Sequence, residues 1–123
     1  MASIIVVSGP SEGDYYPLGR RTVVVGRGEQ CSVQITDEHI SRRHVQIRYD
    51  AASGEHIAFD MKSANGTWIN GRKCEGEVTL ADNDRIEVGE SRLLFTTEEF
   101  PDRESAWNHW KQRGERGRST IQR

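Results

Sequence analysis

The chain has 123 residues, 34% hydrophobic and 29% charged, with 17 Lys and Arg against 19 Asp and Glu for a formal charge of −2. That is enough chain for one domain able to fold without metal or disulfide support, and too little for two ordinary ones. No stretch approaches the 18 apolar residues of a membrane span, and the absence of a basic excess argues against a general nucleic-acid or membrane binder. The start, Met1-Ala2-Ser3-Ile4-Ile5-Val6-Val7, has no basic segment before its short apolar run and does not read as a signal peptide. These features predict a cytoplasmic protein, monomeric or weakly oligomeric. Its two cysteines, Cys31 and Cys74, lie far apart, without CxxC or zinc-like spacing, and read as reduced thiols with no metal or cofactor role.

In chain order, the first 97 residues show the periodicity of short strands. Ile4–Val7 is an apolar run, followed by the turn Ser8-Gly9-Pro10, and Thr22–Val25 is a second run closed by Gly26. Val33 with Ile35, then Val45, Ile47 and Tyr49, alternate at period two. Glu55–Asp60 alternates less cleanly, with Ile57 and Phe59 on one face. Thr67–Ile69, Val78–Leu80, Arg85–Val88 and Arg92–Thr96 complete the series, separated by Asn65-Gly66, Asn70-Gly71, Asp82-Asn83 and Gly89-Glu90. Asn-Gly suits a type I′ hairpin turn because both residues tolerate positive φ. Many short strands with a turn about every ten residues predict an all-β sandwich or barrel. Composition shifts near Phe100-Pro101. Residues 1–97 carry a net −3, residues 98–123 a net +1. Asp102 is placed to cap a helix from Arg103 to about Gln112 that presents Ala106, Trp107 and Trp110 on one face. Gly114 is read as its stop, followed by a flexible basic tail to Arg123 containing the kinase-substrate-like Arg116-Gly117-Arg118-Ser119-Thr120.

Several motif matches fail on context. Gly9-Pro10-Ser11-Glu12-Gly13 fits a nucleophile elbow by letter, but Asp14-Tyr15-Tyr16-Pro17 does not begin a helix. Gly26-Arg27-Gly28 begins like a dinucleotide fingerprint, but Cys31 stands where its third glycine belongs. His39, His44, His56 and His109 have no ligand spacing with carboxylates or thiols. No nucleophile, base and acid assemble into a catalytic set, so the sequence predicts no enzyme.

Three clusters share phosphate-compatible donors on predicted loops: Gly26-Arg27, Ser41-Arg42-Arg43-His44, and Ser63-Ala64-Asn65-Gly66-Thr67-Trp68-Ile69-Asn70-Gly71. Arg grips phosphate through paired charge-assisted bonds, and Ser and Asn add neutral donors. In order and spacing the clusters resemble the forkhead-associated (FHA) domain, whose pattern is Gly-Arg, then S-x-x-H, then N-G-T-x-[VI]-N-G. The resemblance covers roughly residues 3–97 and not the helix or tail, giving an FHA domain over 1–97 and an appendage over 98–123.

The resemblance implies a sandwich of about eleven mostly antiparallel strands that binds phosphothreonine peptides on loops at one end, as a non-enzymatic adaptor in Ser/Thr kinase signalling or regulated assembly. It implies that Arg27 and Ser41 hold the phosphate, with Arg42 at a position that often adds a donor. Asn65 would hold the ligand backbone, while Gly26, His44 and Gly66 brace the site. Arg43, Lys62, Ala64 and Arg72 fall at a possible rim. Ala64 departs from the Thr or Ser usual before the asparagine and lacks their hydroxyl. The expected partner is a phosphothreonine-containing protein in a Ser/Thr kinase pathway. The competing expectation is a phospho-independent scaffold using another sandwich face or the Trp107/Trp110 helix.

Overall fold

The apolar run near the start forms a strand covered on both sides. In the computed structural model, which describes residues 1–121 and side chains through Gln112, β1 (Ser3–Ser8) pairs antiparallel with β11 (Ser91–Thr96). Ile4 and Val6 enter the main core, whereas Ile5 packs with Leu94 in a second cluster on the opposite face. That double burial is why the strand is continuously apolar rather than alternating.

Eleven strands form two sheets. They are β1, β2 (Tyr15–Pro17), β3 (Val23–Gly26), β4 (Val33–Gln34), β5 (Val45–Asp50), β6 (Glu55–Asp60), β7 (Thr67–Ile69), β8 (Arg72–Lys73), β9 (Glu77–Thr79), β10 (Asp84–Val88) and β11. One sheet runs β2-β1-β11-β10-β7-β8 and the other β4-β3-β5-β6-β9. All pairings are antiparallel except β3 with β4. Val23, Val25, Val45, Ile47 and Ala58 of one sheet meet Ile4, Val6, Ile86, Val88, Leu93 and Phe95 of the other. The sandwich expected from the sequence is therefore the fold.

The structure refines several element readings. In β6 the face bearing Ile57 and Phe59 is the outer one, because Ile47 pairs with Ala58 and Val45 with Asp60. This register sends His56 and Ala58 inward. Asn70 and Gly71, at φ 52° and 83°, form the expected turn between β7 and β8, but Asn65-Gly66 does not connect a hairpin. The helix α1 (Arg103–Ile121) starts as predicted, with Asp102 Oδ1 accepting from Ser105 N at 2.8 Å. It does not stop at Gly114, however, and continues to Ile121 instead of giving way to a flexible tail. Interior glycine weakens a helix by only about 1 kcal/mol relative to alanine and need not end it. The side chains of the Arg116–Thr120 stretch lie outside the described residues.

Ala106 of α1 is fully buried against Ile5 and Leu94, with Val7, Tyr15, Phe100, Trp107 and Trp110 packed around them. The Tyr15 hydroxyl links strand and linker by accepting from Phe100 N at 2.7 Å. The tryptophan stripe thus covers the outer face of the first sheet, and the helix is not a detached docking arm. Among the described residues no helix is long and apolar enough to cross a membrane.

Candidate functional site

At one end of the sandwich four loops meet: those joining β3 to β4, β4 to β5, β6 to β7 and β10 to β11. Gly26 closes β3 where the backbone of Arg42 crosses it. A Cβ on Gly26 would stand 2.1 Å from the Arg42 carbonyl oxygen, so no larger residue fits. Beyond the crossing, Arg27 N donates to Ser41 O at 3.0 Å and Gly28 N to Arg42 O at 3.1 Å. The Cys31 thiol donates to the same Arg42 oxygen at 2.9 Å. The Gly26-Arg27 and Ser41-Arg42 clusters, fourteen residues apart in sequence, are therefore one laced surface.

Arg27 is exposed, and its Nε donates to Ile40 O at 3.0 Å. That bond orients the guanidinium and leaves both Nη groups without a partner among the described residues. Ser41 Oγ accepts from Ala64 N at 3.0 Å, and its own hydroxyl proton remains available to donate. The tie uses the main chain of residue 64, so alanine supplies it as well as serine or threonine. Asn65 Nδ2 donates to His39 O at 2.9 Å, leaving Oδ1 and the second N–H for a ligand. Arg42, Arg43 and Lys62 are exposed.

His44 lies beneath these loops, completely buried. Its Nδ1 accepts from Ser41 N at 3.0 Å, so the proton sits on Nε2, which donates to Gly66 O at 2.7 Å. Both ring nitrogens are taken up by these two loop contacts. Gly66 takes φ +84°, a conformation that disfavours side chains, as it turns into β7.

Two acids essential to this geometry were not singled out in the sequence. Buried Asp37 receives His39 N on Oδ1, and Glu90 N and Ser91 Oγ on Oδ2, all at 2.8 Å. Asp60 receives Ser63 Oγ at 2.6 Å and Thr67 Oγ1 at 2.7 Å on Oδ1, and Ser63 N at 3.1 Å on Oδ2. Burial pushes both carboxyls up, but these hydrogen bonds outweigh it and hold both below the usual aspartate value. Their local signals are the turns Asp37-x-His39 and Asp60-x-x-Ser63, where a short acid caps backbone amides two or three residues on. Arg72 is not brought to this end. It pairs with Ile69 beside the Asn70-Gly71 turn, a strand length from Gly66, whereas Lys73 runs back toward Gly66.

Ser11, the false nucleophile, is buried with its Oγ 3.1 Å from both Thr36 Oγ1 and Thr36 N. Both cysteines are free and buried.

The decisive match is with the FHA-domain family model, which covers residues 23–89 and so spans three of the four loops and reaches the start of the fourth. The chain belongs to the FHA family. It is 33% identical over 96 residues to the glycogen accumulation regulator GarA of Mycolicibacterium smegmatis, a match covering 78% of this chain and 59% of that one. It is 34% identical over 92 residues to an oxoglutarate dehydrogenase inhibitor of Corynebacterium diphtheriae, covering 75% and 62%. This chain thus spans about six-tenths of the length of these relatives. Among solved structures, an FHA domain studied for phosphothreonine-dependent interactions superposes with a TM-score of 0.71 at 29% identity, covering 80% of this chain and 98% of that one.

Proposed function

We propose that this FHA domain reads phosphothreonine in a partner protein and acts as an adaptor or regulator downstream of a Ser/Thr kinase. The observation that carries the reading is the set of donors gathered by four loops. Arg27 is pre-oriented through Nε, Ser41 keeps a hydroxyl proton to give, and Asn65 sits beside them tied to His39. In this reading Arg27, Ser41 and Arg42 bind phosphate and Asn65 binds the ligand main chain. Gly26, His44 and Gly66 hold the loops.

Hydrogen bonds to a charged group are worth about 1.5–3 kcal/mol each, so two or three supply a large share of the ~8 kcal/mol of micromolar affinity. An unmodified threonine forfeits that share, since phosphorylation is what adds the charge of about −1.5 to −2 and three acceptor oxygens. Reading the mark needs no catalytic step, metal or cofactor. Residues 1–97 form the reading module in this proposal and residues 98–123 its appendage, whose Ala106, Trp107 and Trp110 pack on the outer face of the module. The cytoplasm, where kinases act and thiols stay reduced, is its site of action.

Arg27→Ala is expected to weaken binding of a phosphothreonine peptide at least tenfold, with the unfolding transition unchanged. Calorimetry on wild type and variant, with the unphosphorylated peptide as reference, tests this. Equal affinities of the two proteins would overturn the assignment.

A further inference from the structure

Strands β5 and β11 begin at the four loops and end at the opposite pole of the sandwich. There the β5–β6 hairpin, the β2–β3 and β9–β10 connections and the end of β11 surround a cavity of about 450 Å³. That volume falls within the range of about 300–1,000 Å³ typical of small-molecule sites. Main-chain bonds fix its walls: Leu80 N donates to His56 O at 2.8 Å, and Asn83 N to Phe95 O at 2.9 Å. The buried side chains that line it are the apolar Ala2, Leu80 and Phe95, with one exception.

The exception is His56. It pairs with Tyr49 across the β5–β6 ladder, and its ring lies 5.2 Å from that of Tyr49 and 5.6 Å from that of Phe95. Nε2 is buried and has no hydrogen-bond partner among the described residues. A buried polar atom left unsatisfied costs stability that leucine or phenylalanine at this inward position of β6 would not forfeit. Burial also holds the imidazole below its usual pKa, so the ring is neutral at neutral pH and Nε2 calls for an uncharged partner. At the mouth stand two exposed side chains of opposite charge, Arg20 and Glu55, and neither has an ion-pair partner among the described residues.

We infer that this cavity is a second binding site, for a free aromatic α-amino acid, with tyrosine preferred over phenylalanine. The carboxylate and ammonium of the zwitterion answer Arg20 and Glu55, and its ring joins the Tyr49, His56 and Phe95 cluster. A phenol hydroxyl both donates and accepts, so it satisfies Nε2 whichever nitrogen of His56 carries the proton. The site is remote from Arg27 and Ser41 and stands independently of the phosphothreonine reading.

The test is an amide NMR titration of the full chain with L-tyrosine, L-phenylalanine and N-acetyl-L-tyrosinamide. L-Tyrosine is expected to give saturable shifts at Gly19, Gly54 and Leu80, and none at Arg27 or Ser41. Phenylalanine, which lacks the hydroxyl, is expected to bind about tenfold more weakly. The acetyl amide, which lacks both charges, is expected to bind about fivefold more weakly. An Arg20→Ala/Glu55→Gln variant, altered only at exposed side chains, is expected to bind tyrosine and its acetyl amide alike. His56→Phe, its fold checked by thermal unfolding, is expected to bind tyrosine and phenylalanine alike. Absence of saturable shifts at the cavity amides, or equal affinity of wild type for tyrosine and phenylalanine, would overturn the site. Equal affinity of wild type for tyrosine and its acetyl amide, or an unchanged preference in the Arg20/Glu55 variant, would overturn the free amino acid as its ligand. Should His56→Phe fail to fold, the Arg20/Glu55 variant and the three ligands decide the matter by themselves.

Discussion

His44 joins two loops by using its ring nitrogens in opposite senses, one accepting from Ser41 N and the other donating to Gly66 O. Phenylalanine would fill nearly the same volume while leaving both main-chain groups buried and unpaired. At about 1–3 kcal/mol for each unsatisfied group, His44→Phe is expected to destabilise the fold by about 2–6 kcal/mol. Denaturant titration measures that loss. Phosphopeptide affinity should fall as well, since Ser41 is freed from its brace. An unaltered midpoint would exclude the bracing role. Part of this candidate site is legible in the sequence because Arg27, Ser41 and Asn65 fall in three loop clusters whose order and spacing resemble the FHA pattern. Asp37 and Asp60 were not legible. Each looks like an ordinary turn acid, and its importance arises from which loops the fold brings against it. Arg72 shows the converse: a suitable residue type, close in sequence to the motif, that the β7–β8 turn carries away from the loops.

The loops are held by elements whose own stability is tied to these carboxylates. Asp37 joins the β4–β5 loop to the turn before β11, and Asp60 ties the end of β6 to the start of β7. Both titrate below the ordinary value of 3.8 in the folded chain, so the unfolded chain takes up their protons first on acidification. Their contribution is complete above about pH 4–5 and is lost as pH falls through the lower folded-state values. The urea midpoint is therefore expected to drop steeply between about pH 4 and pH 2, and less steeply in Asp37→Asn, whose amide cannot titrate. A midpoint that rises on acidification would contradict the assignment. Element boundaries were readable where burial imposes a pattern, as in β1, β5, β10 and β11. They were not where pairing alone makes the strand. Tyr15–Pro17 is a three-residue edge strand ending in proline, and Arg72–Lys73 is a two-residue exposed one. Neither is long enough to show a period, so only the neighbouring strand defines them. The overrun of α1 past Gly114 has the same origin: a local stop signal of about 1 kcal/mol does not decide where a helix ends.

At the scale of the whole molecule, a net charge of −2 coexists with four exposed cations, Arg27, Arg42, Arg43 and Lys62, on the loops at one end, which form the rim of the proposed site. The rest of the sandwich is acidic enough to leave residues 1–97 at a net −3. A long polyanion would lie across both regions and gain at the rim what it loses along the flanks, whereas a single phosphate meets only the rim. Salt dependence separates the two situations. A protein that neutralises six phosphates of duplex DNA loses affinity with a log–log slope of about 5 in salt, because each contact releases counterions. For this chain, phosphothreonine-peptide binding is expected to weaken with a slope of about 2 or less between 50 and 300 mM salt. Duplex DNA should show no saturable binding over the same range. Fluorescence anisotropy with labelled peptide and labelled DNA reads both quantities in one experiment. A slope near 5, or DNA binding that rivals the peptide, would mean that the rim serves a polyanion after all and that its local charge overrides the molecular total. A shallow slope with phosphate-dependent binding places selectivity in the geometry of the four loops, with net charge acting to repel extended anions.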